Sequence, residues 1–229
     1  MIRLLLEVGE DGRARAWSRS GVNLTSRVSH LPAVFEEAAP GSLFDGELVA
    51  VSGSEQRPVQ DFAMVCRAVL RGDRVAAQGL RFVAFDVLKV AGEDLRARRW
   101  SHRDHLLVEA LPRCALVRRI DSLPATEAAH AKLLALGFEG SVVKRRGSRY
   151  RAGPSRRWVK HKARFTTEAV LLAARQDRKA QWHAICDAGH RSVAAIAGPD
   201  AVSRVGEVVT VVYSRVDADG GLREARLAW

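Results

Sequence analysis

Residues 138–162 gather the groups best suited to handling phosphate. Glu139 is a buried-looking carboxylate in a turn flanked by Gly137 and Gly140, and a short β-type segment runs from there to Lys144. The stretch closes with Trp158-Val159-Lys160-His161-Lys162, where strand alternation puts Lys160 and Lys162 on one face. Two ammonium groups on one face repel each other and call for an anion above them, most simply a nucleotide phosphate. The neighbouring carboxylate suggests a divalent cation sharing that phosphate. The plainer alternative is a solvent-facing strand edge carrying lysines that oppose aggregation.

Further candidates lie upstream. Glu47 is a carboxylate inside the apolar strand Leu43–Val51, and it needs a partner or a metal if it points inward; an outward-facing glutamate on a half-exposed strand is the other possibility. Phe85 and Asp86 sit inside the strand Leu80–Lys89, whose near-continuous apolar run marks it as central; Phe85 alone reads more readily as plain core. Arg3 lies in an opening strand, residues 2–8, and Arg19 in the turn Ser18–Gly21, where an arginine is usually just solvated.

The elements that must position these groups follow from turn and periodicity signals. Gly9-Glu10-Asp11-Gly12 reads as a hairpin turn into a return strand, residues 13–18. Helices are expected over 31–38, over 59–70 on a helical apolar period, over 102–110 with Ser101 as cap, and over 126–136 with Gly137 as its end. A short strand is expected at 115–117. His102 and His105 fall on a helix surface. From residue 165 the pattern changes to five β-type runs, at 168–174, 181–187, 191–197, 207–213 and 222–228. A short helix opens at Gly198-Pro199-Asp200 before the fourth run, an order that fits a small OB-like barrel. The boundary falls near 163–166, giving segments 1–163 and 164–229.

Composition narrows the partners. The 229 residues carry a net charge of +11, and 31 of the 37 basic residues are arginine. Such an excess favours a polyanion, nucleic acid before an anionic membrane, although genomic base composition also enriches arginine. Cys66, Cys114 and Cys186 are odd in number and lack metal-ligand spacing, so they read as reduced thiols of a cytoplasmic protein. No apolar run has membrane-spanning length.

Four segments in order resemble the ATP-dependent DNA ligases of the covalent nucleotidyltransferase superfamily. Phe44-Asp45-Gly46-Glu47-Leu48 is similar to the family's third motif, and Phe82–Leu88 to the strand whose aromatic residue stacks on adenine. Glu139–Lys144 is similar to the fourth motif and Trp158–Lys162 to the fifth. The resemblance implies an α+β, ATP-grasp-like adenylation domain of antiparallel sheets flanked by helices, followed by the OB-like barrel. It implies ATP and Mg²⁺ as cofactors, nicked duplex DNA as partner, no membrane, and a monomer. Glu47 would hold the AMP ribose and a metal in later steps, Phe85 would stack on the base, and Glu139 would hold Mg²⁺. Lys144, Lys160 and Lys162 would neutralise phosphates, and Arg3 and Arg19 would contact phosphates or the nick. Phosphoryl transfer needs in-line positioning and charge stabilisation, which such groups supply.

One departure shapes the expectation. The family's nucleophile is the lysine of Lys-x-Asp-Gly, with an arginine two positions past the glycine. Arg3 fits that arginine, so Met1 falls on the glycine and the lysine would precede the chain as written. The family's final Arg-x-Asp-Lys is also missing after Leu222–Leu227. The chain as written is therefore expected not to form the lysyl-AMP intermediate. A start set too late, a decaying gene and a nucleotide- or DNA-binding pseudoenzyme all account for this; the intact strand pattern up to Met1 favours the first. A DNA clamp without chemistry and an RNA ligase or capping enzyme are the rival functions.

Overall fold

The structure, a computed structural model, describes residues 2–54, 57–136, 138–153, 155–189, 192–216 and 221–228. The chain divides into two compact units, one of Met1–Ala125 with Val143–Val159 and one of Thr126–Val142 with Lys160–Trp229.

The first unit is built on a mostly antiparallel seven-stranded sheet. Strand β1 (Ile2–Val8) lies between β2 (Ala14–Ser18) and β3 (Ser42–Ser54), and β3 pairs with β5 (Leu80–Val90). The short β4 (Arg57–Gln60) folds back on β3, β6 (Glu93–Asp94) extends β5, and β7 (Val117–Arg119) joins β5 in parallel. Alternation sends Leu4, Leu6, Phe44, Leu48 and Phe82 to a fully buried face. There Phe35 of α1 (His30–Phe35) meets Phe44 and Phe82 edge-on, with ring centroids 5.0 and 5.6 Å away. Gly46 is required at this point, because a Cβ would come within 2.4 Å of the Phe82 ring.

Register breaks once beside the candidate residues. Asp45 pairs with Asp86 while Gly46 pairs with Ala84, which leaves Phe85 as the extra residue of a β-bulge. Bulges re-aim a side chain and leave its backbone groups without a ladder partner.

Several helix boundaries differ from expectation. The periodic stretch from Val59 starts as strand: β4 takes residues 57–60, and Asp61 then caps α2 (Phe62–Cys66) by accepting from the Met64 N–H at 2.8 Å. Helix α2 continues as a π-helical turn, Arg67–Arg71, and α3 follows at Arg74–Gln78. Helix α4 is Trp100–Ala110, and Ser101 does not cap it. Its first N–H groups instead donate to tertiary carbonyls, Trp100 to Ser148 O and Ser101 to Arg146 O. The strand expected at 115–117 begins at Val117, where the parallel pairing to β5 starts.

In the second unit, α5 (Glu127–Ala135) starts at Thr126, whose hydroxyl accepts from Ala129 N–H at 3.2 Å; the expected end at Gly137 lies outside the described residues. Strands β8 (Gly140–Lys144) and β9 (Trp158–Lys162) form a two-stranded sheet whose residues are shared between the units. The remainder is a closed barrel of β10 (Phe165–Gln176), β11 (Trp182–Asp187), β12 (Ser192–Ile196), β13 (Val208–Tyr213) and the last strand, β16 (Arg226–Ala228). The start of the expected third run, Arg191, lies outside the described residues. Every second residue points inward, so Leu171, Cys186, Val193, Val209 and Val211 fill the interior, and Ala201 of the 3₁₀ turn Pro199–Arg204 joins them. The expected last strand is broken: Glu224 has a left-handed backbone (φ 53°) and separates β15 (Leu222–Arg223, paired with β14, Arg215–Val216) from β16. All three cysteines are free thiols, Cys186 within the barrel core. Among the described residues no helix is long and apolar enough to cross a membrane.

Candidate functional site

The first unit brings Arg3, Glu47, Phe85 and Lys144 into one neighbourhood. Phe85 is the extra residue of the bulge, and the Lys144 ammonium donates to its carbonyl at 2.9 Å. The same ammonium lies 4.2 Å from the Trp158 ring centroid and 5.2 Å from those of Phe85 and Trp100. Three aromatic rings thus surround one cation, an attraction worth about 2 kcal/mol for a desolvated contact. Burial lowers the Lys144 pKa to about 8, against the opposing pull of Asp86, Asp104 and Asp45. The Phe85 ring also meets Trp158 edge-on at 6.0 Å, and the Arg3 guanidinium sits 5.7 Å from its centroid.

Two buried carboxylates hold this cluster in place. Arg3 forks onto Asp45, its Nε donating at 2.8 Å and a second N–H donating to the other carboxylate oxygen. It also donates to the Tyr150 hydroxyl at 3.3 Å. Glu47 faces Arg3 across the β1–β3 pair and is half-buried. Asp86, fully buried, receives a matching fork from the fully buried Arg103, both bonds 2.8 Å. Burial raises both aspartate pKa values, while Arg3 and Arg103 respectively pull them down. Arg19 is exposed in the turn after β2.

The second unit carries Glu139, Lys160 and Lys162. Glu139 is not buried as expected: its side chain keeps 29% of its exposure and pairs with Lys162 at 3.1 Å. Lys162 is held on its other side by Glu224. Partial burial works against the Lys162 charge, but the hydrogen bonds its ammonium donates to Glu224 and Glu139 outweigh it and raise the pKa. The charge beside Lys162 is thus supplied by a pair of carboxylates within the chain. Lys160 is exposed. Gly140 is essential to the geometry: its φ of 155° suits glycine, and a Cβ would lie 2.3 Å from the His161 carbonyl oxygen. His130 of α5 stacks on His161 at 4.0 Å and bonds Ser141 at 3.0 Å.

Reading the sequence missed Asp45, Arg103, Tyr150 and Glu224 as participants, and left Asp86 without a role. A signal existed for the aspartates, since an acid inside an otherwise apolar strand needs a partner. Nothing local marks Glu224, which reaches Lys162 from 62 residues away. Among the described residues there is no group of three or more His, Cys, Asp or Glu that could hold a metal. The residues do suit an adenine nucleotide in kind: an aromatic ring outside the core, two cations beside it and a carboxylate one strand away.

Comparison with known proteins shows likeness in sequence and in fold. Residues 2–162 match the model of the ATP dependent DNA ligase domain. The chain is 36% identical over 182 residues to a probable DNA ligase of Streptomyces griseus, covering 73% of this chain and 35% of that protein. It is 34% identical over 189 residues to the multifunctional non-homologous end joining protein LigD of Pseudomonas aeruginosa, covering 76% of this chain and 20% of that one. The chain thus spans about a third or less of the length of these curated relatives. A solved structure of a Lig E DNA ligase superposes with a TM-score of 0.71 at 20% identity, over 99% of this chain and 88% of that one, a likeness of fold. With the matched model spanning both candidate motif regions, the chain belongs to the ATP-dependent DNA ligase domain family.

Proposed function

We propose that this chain is part of a DNA ligase that seals nicks through adenylated intermediates in its complete form, with its first unit binding ATP and the chain holding the nicked duplex. The observation that carries the reading is the Phe85 bulge, which turns an aromatic ring out of the core beside the Arg3 and Lys144 cations. Phe85 stacks on the base, Glu47 binds the ribose, and Arg3 and Lys144 meet phosphate. Arg19 contacts phosphate near the nick. Lys160 and Lys162 neutralise phosphate charge as the bond to the leaving group lengthens. Glu47 and Glu139 would each offer a single carboxylate to Mg²⁺, which would stabilise charge on the nonbridging phosphate oxygens. Within this reading the adenylation part is 1–163 and the OB-like part 164–229. The net charge of +11 supports DNA as the partner.

No Lys-x-Asp-Gly sequence occurs in the 229 residues, which supports a chain that does not adenylate itself. The test is to incubate it with Mg²⁺ and ATP labelled on the α-phosphate, measure binding, then denature and look for label on protein. Retained ATP binding without covalent label is the expected result. Covalent label would overturn the reading, since another lysine would be the nucleophile. Lys160→Ala should weaken ATP binding more than Lys179→Ala, and equal effects would remove Lys160 from the site. DNA binding with no ATP binding would favour the second reading, a DNA-binding pseudoenzyme.

A further inference from the structure

A second cationic feature lies in the first unit, on residues that flank Trp100, Lys144 and Trp158 along the chain. Arg96, Arg99, Arg145, Arg149, Arg151 and Arg157 line one cavity of about 710 Å³. A neighbouring cavity of about 540 Å³ shares Arg99 and Arg149 and adds Arg98 and His102. The arginines come from two segments, the approach to α4 and the connection from β8 to β9, and main-chain bonds join these segments. Trp100 N–H donates to Ser148 O at 2.7 Å, Ser101 N–H to Arg146 O at 3.1 Å, and Tyr150 N–H to Arg96 O at 2.9 Å. The buried Arg103 adds a bond to Arg98 O at 2.7 Å while its other side stays forked on Asp86. The scaffold is therefore fixed by backbone and by a buried ion pair, while the lining guanidinium groups remain exposed.

Their charge is poorly compensated within the chain. Arg96 forks onto Asp94, and Arg98 of the neighbouring cavity pairs with Glu93. Among the described residues no carboxylate pairs with Arg99, Arg145, Arg149, Arg151 or Arg157. Five like charges around one concavity repel one another, and each offers the planar donor pair that suits a phosphate oxygen pair. A single phosphate satisfies about two arginines in bidentate fashion, so five uncompensated ones around one cavity match about two or three phosphates in a row. Such contacts read backbone and leave base sequence unread.

We propose that this arginine-lined cavity is a sequence-independent docking site for consecutive phosphodiesters of the DNA strand. The inference rests on the reading that the chain acts on DNA and adds which surface grips the backbone. The cavity borders the ATP cluster at Tyr150, which lines it and accepts from Arg3.

The test compares the full chain, Arg99→Ala/Arg149→Ala, Arg99→Lys/Arg149→Lys and a charge-matched control, Arg178→Ala/Lys179→Ala. Affinity for a nicked duplex is measured across a salt series, and affinity for ATP and for pyrophosphate in parallel, after thermal melting has established that each variant folds. Loss of two phosphate contacts should lower the salt slope by about 2, at about 0.9 per contact. The lysine variant should keep most of the slope, the control should stay near the parent, and ATP affinity should not change. A DNA slope equal to the parent's with weakened pyrophosphate or ATP binding would overturn the proposal and identify a small-polyphosphate site. Should the parent chain itself fail to bind DNA, the proposed function falls first and the docking site with it. Should the alanine variant unfold, the lysine variant and an Arg145→Ala/Arg157→Ala pair carry the test; unchanged slopes in the latter would overturn it.

Discussion

Lys144 and Lys162 close two successive strands of the same two-stranded sheet, yet the protein prepares them in opposite ways. Lys144 is packed among Phe85, Trp100 and Trp158 with a carbonyl as its hydrogen-bond acceptor, and burial brings its pKa down to about 8. Lys162 lies between two partly exposed carboxylates that raise its pKa. A cation held by aromatic faces has spare electrostatic capacity, because those faces attract charge without neutralising it. A cation already bracketed by two carboxylates has little. The first unit is thus poised to accept an anion, whereas in the second an anion must displace Glu139 or Glu224.

The same contrast governs stability, and the largest expected effect tests it. Asp86→Ala leaves Arg103 buried without its partner, and about 3–5 kcal/mol of stability should be lost in a denaturant titration. Glu224→Ala breaks a pair whose carboxylate is half exposed, and it should cost under about 1 kcal/mol. Similar losses in the two variants would erase the distinction between the units.

A pH series sharpens the comparison further. Between about pH 8 and the ordinary lysine value near 10.5, the unfolded chain holds a proton that folded Lys144 has released. Folding stability from this group therefore rises with pH across that window, because the cost of burying its charge disappears. Anion affinity should do the reverse and fall as pH passes 8. Lys144→Met should flatten both curves, measured by thermal melting and by ATP titration. A parent affinity that stays level from pH 7 to 9.5 would mean that Lys144 does not meet the phosphate. The smallest effect is expected from Glu224→Ala on binding: with one carboxylate gone, phosphate affinity at Lys162 should rise about two- to fivefold at low salt, and that gain should fade as salt screens it.

How far the sequence foretold this arrangement depended on distance along the chain. The apolar runs of β3 and β5 and the alternating residues of the barrel show their strands through local periodicity, whereas the close approaches at Gly46 and Gly140 emerge only from the folded structure. Asp86–Arg103 was legible only by half: an acid in an apolar strand announces a partner, but Arg103 sits in the periodic pattern of a surface helix and gives no sign of burial. Glu224 was invisible because its role depends on a backbone break at φ 53° that no residue type there requires. The Phe85 bulge came from register between strands, a property of pairing that neither strand carries alone. Ser101 misled because tertiary carbonyls supply the cap that its hydroxyl would otherwise have provided.

The most direct measurement is calorimetric ATP binding to the parent chain and to Phe85→Ala, Lys144→Ala and Lys179→Ala. Loss of a stacked base costs about 1–3 kcal/mol, so Phe85→Ala should weaken ATP binding by about 5- to 150-fold. Lys144→Ala should weaken it by at least about tenfold, and Lys179→Ala should leave it unchanged. Equal binding by the parent and the Phe85 variant, or an equal loss in Lys144→Ala and Lys179→Ala, would contradict the placement of the nucleotide on this bulge.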